Sequence, residues 1–76
     1  MPEQSTATAA DQTVSANLRA LLARRRITAR SVALAIEMPE RQFRRRLRAE
    51  VPWLLSELLR VADHLDVPVG ELTVRS

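Results

Sequence analysis

Large apolar residues recur along the chain at spacings of three and four, with no run of strict alternation, which predicts helices and no strands. Val14, Leu18, Leu21 and Leu22 set a first helix over about residues 14–25. Thr13 or Ser15 is its expected cap, and Arg24 to Arg26 fall near its end, where positive charge suits the helix dipole. Before it, residues 1–13 hold no large apolar side chain after Met1, which predicts a mobile arm. Thr28 is placed to cap a second helix running to about Glu37, with Val32, Ala33 and Ile36 facing inward and Arg30 away. Pro39 disfavours helical geometry at Met38 and suits the first turn of a third helix, over about 39–49. Val51–Pro52 breaks the chain again. Residues 53–65 are the most hydrophobic segment, and Leu54, Leu55, Leu58, Leu59, Val61, Ala62 and Leu65 cover more than one face, predicting the central helix of the core. After Pro68, the apolar Val69, Leu72 and Val74 predict a last turn or short helix. The expected fold is all-α, a compact bundle of five short helices spanning residues 14–76.

Composition narrows the means of stabilisation. A chain of 76 residues allows one small domain, and the absence of cysteine excludes disulfides and thiolate metal sites. The single histidine, His64, has no second ligand or nucleophile at a useful spacing and reads as a surface residue near a helix end. No acid–base pair, nucleophile constellation or phosphate loop supports an enzyme, and no cofactor or small-molecule ligand is expected. No run has transmembrane length and the N-terminus lacks a signal-peptide pattern, so the expectation is a soluble, cytoplasmic protein.

Charge singles out the third helix. Between Arg24 and Arg48 nine arginines oppose only Glu37 and Glu40, a net of +7, whereas the segment from Ala49 onward carries −3. Around the third helix, Phe43 and Leu47 lie about 40° apart and form a narrow apolar keel. Arg41, Arg45 and Arg48 occupy the other side, with Arg44 at the boundary. Such a helix is suited to docking on a scaffold while its free face meets a polyanion. The apolar keel is too narrow for an amphipathic membrane binder.

The second and third predicted helices are separated by Glu37, Met38 and Pro39, the spacing of a helix-turn-helix. Ala33 allows close approach of the two helices, Val32, Ile36 and Met38 flank the turn, and Phe43 anchors the second helix. With these features the chain resembles the Cro and phage-repressor (XRE-like) family of helix-turn-helix proteins. The likeness runs from about Val14 to Thr73. It is carried by NLRALLARRRITARSVALAIEMPERQFRRRLRAE and by the closing segment LLSELLRVADHLDVPVGELT, with its Val-Pro-x-x-Glu-Leu turn. The resemblance implies a λ-repressor-like domain, usually a dimer, that regulates transcription at an operator in a bacterial or phage-infected cell, most simply as a repressor.

Carried over residue by residue, the resemblance puts Glu40, Arg41, Arg44 and Arg45 in the major groove. Arginine there suits guanine and Glu40 suits a cytosine amino group. Thr28 and neighbouring N–H groups, with Arg30 and Arg48, fall at phosphates. Two positions depart from the family pattern: Glu37 stands where glycine is common, and Arg46 where an apolar residue is usual. Leu47 can replace the latter by a small rotation of the helix, which would turn Gln42 towards adenine. The competing reading is a protein-interaction module on the same scaffold, antitoxin-like or anti-repressor, with the arginines meeting acidic protein. Self-association is expected through a symmetric surface at Val69, Leu72 and Val74.

Overall fold

The computed structural model describes residues 7–75 as five helices: α1 (Ala9–Arg25), α2 (Ala29–Ala35), α3 (Glu40–Leu47), α4 (Leu55–Leu65) and α5 (Val69–Thr73). The fold is the expected small all-α bundle, and there is no strand among the described residues. α1 packs against α3 and α5, α2 against α3 and α4, and α4 against α5. The centre of the core is shared by all five helices. Leu18, Val32, Phe43, Val61 and Leu72 are each almost wholly buried.

α1 begins at Ala9, five residues before the predicted start at Val14. Its N-cap is Thr8, whose Oγ accepts from the Asp11 N–H at 3.2 Å while the Asp11 carboxylate accepts from the Thr8 N–H at 2.8 Å. This reciprocal capping box, Thr-x-x-Asp, replaces the caps expected at Thr13 or Ser15. Ser15 is instead completely buried. An arm over residues 1–13 is therefore shortened from its C-terminal side, and the expectation for residues 1–6 lies outside the described residues.

Asp11 also reaches across the molecule. Its Oδ1 accepts from the Trp53 N–H at 2.8 Å, fixing the α3–α4 connection to the first turn of α1. Trp53 precedes α4 rather than beginning it; Leu54, in extended geometry, is the cap residue. The indole ring is buried edge-on to Phe43, with centroids 6.0 Å apart, and its Nε1 donates to Ser15 Oγ at 2.9 Å.

α4 is not the all-round buried helix that its composition predicts. Leu58, Val61, Ala62 and Leu65 form one inward stripe at helical spacing, whereas Leu54, Leu55 and Leu59 remain exposed. The C-terminal apolar residues also divide. Leu72 is 1% exposed and Val69 packs against the core, leaving Val74 as the exposed member of that trio. The surface expected for self-association at Val69, Leu72 and Val74 is thus largely spent inside the domain.

Four residues take left-handed backbone geometry: Arg26 (φ 57°), Glu37 (φ 59°), Ala49 (φ 58°) and Asp66 (φ 58°). Each follows a helix and lets chain N–H groups return to its last carbonyls, as when the Met38 N–H donates to Ala33 O at 2.9 Å. Glycine meets this requirement at least cost, but the only glycine, Gly70, lies within α5.

Candidate nucleic-acid interface

The two helices of the predicted motif form as a unit. Thr28 caps α2, its Oγ accepting from the Ser31 N–H at 3.1 Å, and Val32, Ala33 and Ile36 turn inward against Met38 and Phe43. Glu37 makes the tight turn in the left-handed conformation where the family commonly has glycine. The turn is therefore held at the cost of a strained side-chain-bearing residue.

The rotation of α3 is settled by both of its flanks. Phe43 is completely buried and Leu47 is 8% exposed, so the keel points into the core as expected. Arg46 does not break that packing, because it turns sideways to α4. Its Nε donates to Glu57 Oε1 at 2.7 Å, in a pair whose side chains are only 16% and 10% exposed. The same Glu57 oxygen accepts from the Leu54 N–H at 2.9 Å, so one carboxylate anchors α3 and closes the start of α4. On the other flank, α1 holds the C-terminal end of α3. Ser15 Oγ donates to the Arg46 carbonyl and Arg19 Nη1 to the Leu47 carbonyl.

With this rotation, Arg41 and Arg45 lie opposite the keel at the middle of the free face, and Gln42 and Arg48 lie to either side. All four are exposed, as are Arg44, Thr28 and Arg30, while Glu40 is half-buried. The eight predicted residues are thus accessible from solvent, Thr28 and Arg30 on α2 and its cap, the others on α3 and its C-cap.

The free face is less bare than its sequence suggests. Arg44 donates through Nε to Glu40 Oε2 at 2.8 Å, with Nη2 also 2.8 Å from that oxygen, an i,i+4 pair along the helix. Glu50, just past α3, accepts from Arg48 Nε at 2.6 Å and lies 3.7 Å from Arg45 Nε. The hydrogen bond from Arg48 holds the Glu50 carboxyl below its ordinary range, outweighing desolvation, with the charges of Arg48 and Arg45 adding to it. Arg30 and Arg41 make no ion pair among the described residues.

Two acidic residues of this network, Glu57 and Glu50, and Asp11 outside it were not anticipated from the sequence. Glu57 lies eleven positions from Arg46, across a connection that no local rule spans, and its only sequence signal is its place three residues after Leu54. Glu50 is near its arginines in sequence but beyond the helix, where spacing rules stop. The sequence signal for Asp11, passed over in favour of caps at Thr13 or Ser15, is the Thr-x-x-Asp pattern. Partial burial raises the Asp11 pKa, but hydrogen bonds from the Thr8 and Trp53 N–H groups and the Thr8 hydroxyl outweigh it, leaving the pKa lowered.

Among the described residues there is no group of three or more His, Asp or Glu side chains placed to hold a metal ion. His64 is exposed on α4, beside Arg60, Asp63 and Glu37. No helix among the described residues is long and apolar enough to cross a membrane.

An exposed, arginine-bearing helix set at a tight turn on a five-helix scaffold is the arrangement of a helix-turn-helix DNA-binding domain. The family model for the Cro/C1-type HTH DNA-binding domain matches residues 17–76, from the middle of α1 onward. The chain belongs to that family. No curated protein and no solved structure matches it.

Proposed function

We propose that the protein is a sequence-specific transcriptional regulator, acting as a repressor in the cytoplasm of a bacterial or phage-infected cell, and that it inserts α3 into the major groove of an operator. The observation that carries the reading is the rotation of α3: Phe43 and Leu47 are buried, Arg46 is tied to Glu57, and Arg41 and Arg45 are left at the centre of a free face. Arg41 and Arg45 are the principal base readers, each able to take guanine O6 and N7 together. Gln42 and the Glu40–Arg44 pair read at the edges. Arg44 keeps its outer guanidinium edge available while Glu40 holds its Nε side, which orients it for a guanine. Thr28, Arg30 and Arg48 contact phosphates and fix the register. Two copies bind as a homodimer.

The test is equilibrium binding to a pool-selected duplex and to random duplex over a range of salt. The reading expects preference for the selected duplex and a loss of about 0.9 log unit in affinity per log unit of salt for each phosphate neutralised. Equal affinity for the two duplexes would remove the sequence-specific reading. Absence of binding at low salt, with a stable complex to an acidic protein, would favour the antitoxin-like or anti-repressor alternative.

A further inference from the structure

One carboxylate stands against the arginine face without a role in binding DNA. Glu50 Oε2 accepts from Arg48 Nε at 2.6 Å, and Glu50 Oε1 lies 3.7 Å from Arg45 Nε. The backbone sets this placement. Ala49, at φ 58°, and Glu50 turn back on the end of α3, their N–H groups donating to the Arg46 and Arg45 carbonyls at 3.0 Å each. Arg41 lies one turn before Arg45 on the same side of the helix and makes no ion pair among the described residues. The free face is therefore open at Arg41 and guarded at Arg45 and Arg48.

We infer that Glu50 is a specificity-determining residue. It is an internal competitor for phosphate that keeps Arg45 and Arg48 from a duplex offering only its backbone, and leaves Arg45 able to read a guanine. The inference rests on the DNA-binding reading and adds to it a residue that acts against the wrong duplex.

The chemistry of the two ligands makes the difference. A phosphate attracts a guanidinium through any of its five N–H donors, because charge supplies most of the attraction. Guanine takes the guanidinium edge-on, through O6 and N7 together. The close approach of Glu50 is to Nε in both arginines, which leaves the edge formed by Nη1 and Nη2 for such a contact. On an operator, Arg48 passes to a phosphate, and Arg45 keeps the carboxylate at Nε while its outer edge meets a base. On random duplex Arg45 gains only phosphate, and Glu50 is a rival of the same charge and the same hydrogen-bonding kind. Part of the specificity then comes from weakening the wrong complex rather than from strengthening the right one.

Exposure sets the strength. The side chains of Glu50, Arg45 and Arg48 are 45%, 49% and 57% exposed, so water and salt screen both contacts. Exposed pairs of this kind shift an equilibrium by factors of roughly 1.5 to 5 each. Glu50 is a filter on the arginine face and not a block.

Equilibrium binding at fixed moderate salt tests this, with random and pool-selected duplex, on wild type, Glu50→Gln and Glu71→Gln. Glu71 is a charge-matched control, exposed on α5, which packs against α1 and α4. Both side chains are exposed, so neither substitution is expected to move the unfolding midpoint. Glu50→Gln is expected to raise affinity for random duplex about threefold more than for selected duplex. Glu71→Gln is expected to move both alike, and in an Arg45→Ala background the differential effect of Glu50→Gln is expected to vanish. An unchanged ratio of the two affinities in Glu50→Gln would overturn the inference and leave the DNA-binding reading in place. The same differential from Glu71→Gln, or its persistence without the Arg45 side chain, would do likewise. Failure of wild type to bind any duplex at low salt would remove the DNA-binding reading and the inference with it.

Discussion

Removing the Glu57 carboxylate tests how the domain aims its arginine helix. Glu57 Oε1 accepts from Arg46 at 2.7 Å and from the Leu54 N–H at 2.9 Å, in a site where the Glu57 side chain is 10% exposed and that of Arg46 16%. Glu57→Ala loses a charge-assisted hydrogen bond worth about 1.5–3 kcal/mol and leaves a largely buried guanidinium without its counter-charge. It also opens the start of α4, where loss of a cap typically costs about 0.5–2 kcal/mol. The two losses share one oxygen and so do not add in full, which places the expected cost at about 2–4 kcal/mol. That is a large share of the roughly 4–11 kcal/mol available to a chain of this length. Removing both charges is different. In Arg46→Leu/Glu57→Leu no buried ion remains unpaired, and the double variant is expected within about 1.5 kcal/mol of wild type. Urea unfolding followed by fluorescence of the buried Trp53 measures all of these. A cost for Glu57→Ala below about 1 kcal/mol, or additive effects of the two leucine substitutions, would refute the argument that this pair holds α3 in place.

Three further outcomes follow from the same geometry. Glu37→Gly and Ala49→Gly each relieve a left-handed residue at φ 59° and 58°, and each is expected to stabilise the domain by about 0.5–1 kcal/mol in thermal unfolding. The Asp11 pKa is lowered in the fold, so its contribution to stability is complete above the ordinary carboxylate value of about 4 and is lost as pH falls through the folded value. Asp11→Asn should therefore be less stable at neutral pH and show a shallower loss of stability in acid, read as urea midpoints across pH 2–6. Glu50→Gln releases Arg45 and Arg48 from their carboxylate and should raise affinity for duplex several-fold at moderate salt, with little change in the unfolding midpoint.

The helical period carried most of the architecture because each helix needs only one apolar stripe, and the stripes of α1, α2 and α3 were legible residue by residue. Where the period misled, polar anchors were at work. The first turn of α1 has no large side chain to bury; it forms because Thr8 and Asp11 cap it and Asp11 ties it to Trp53. In α4, counting leucines overstated burial. The stripe Leu58, Val61, Ala62 and Leu65 faces the core, and the remaining leucines are not covered by any of the described residues. The converse holds for Leu72, which reads as a terminal surface residue until α5 folds back onto α1.

The arginines of α3 were visible as a charged face, but their pairing was not. Helical spacing gives Glu40 with Arg44, and no comparable rule gives Glu57 with Arg46 across a connection or Glu50 with Arg48 beyond the helix end. Those acidic partners decide which guanidinium groups are tied to the scaffold and which stay exposed on α3. Arg46 belongs to the scaffold. Arg41 and Arg45 stand at the centre of what remains.

Selection of bound duplexes from a random pool, repeated with Arg45→Ala, bears most directly on the claim that α3 reads bases through this face. The account predicts a defined consensus for wild type, and a variant that binds it about 1–3 kcal/mol more weakly and loses preference at one guanine position per half-site. An unchanged consensus in the variant, with only a uniform fall in affinity and salt dependence, would place Arg45 on phosphate and contradict the account.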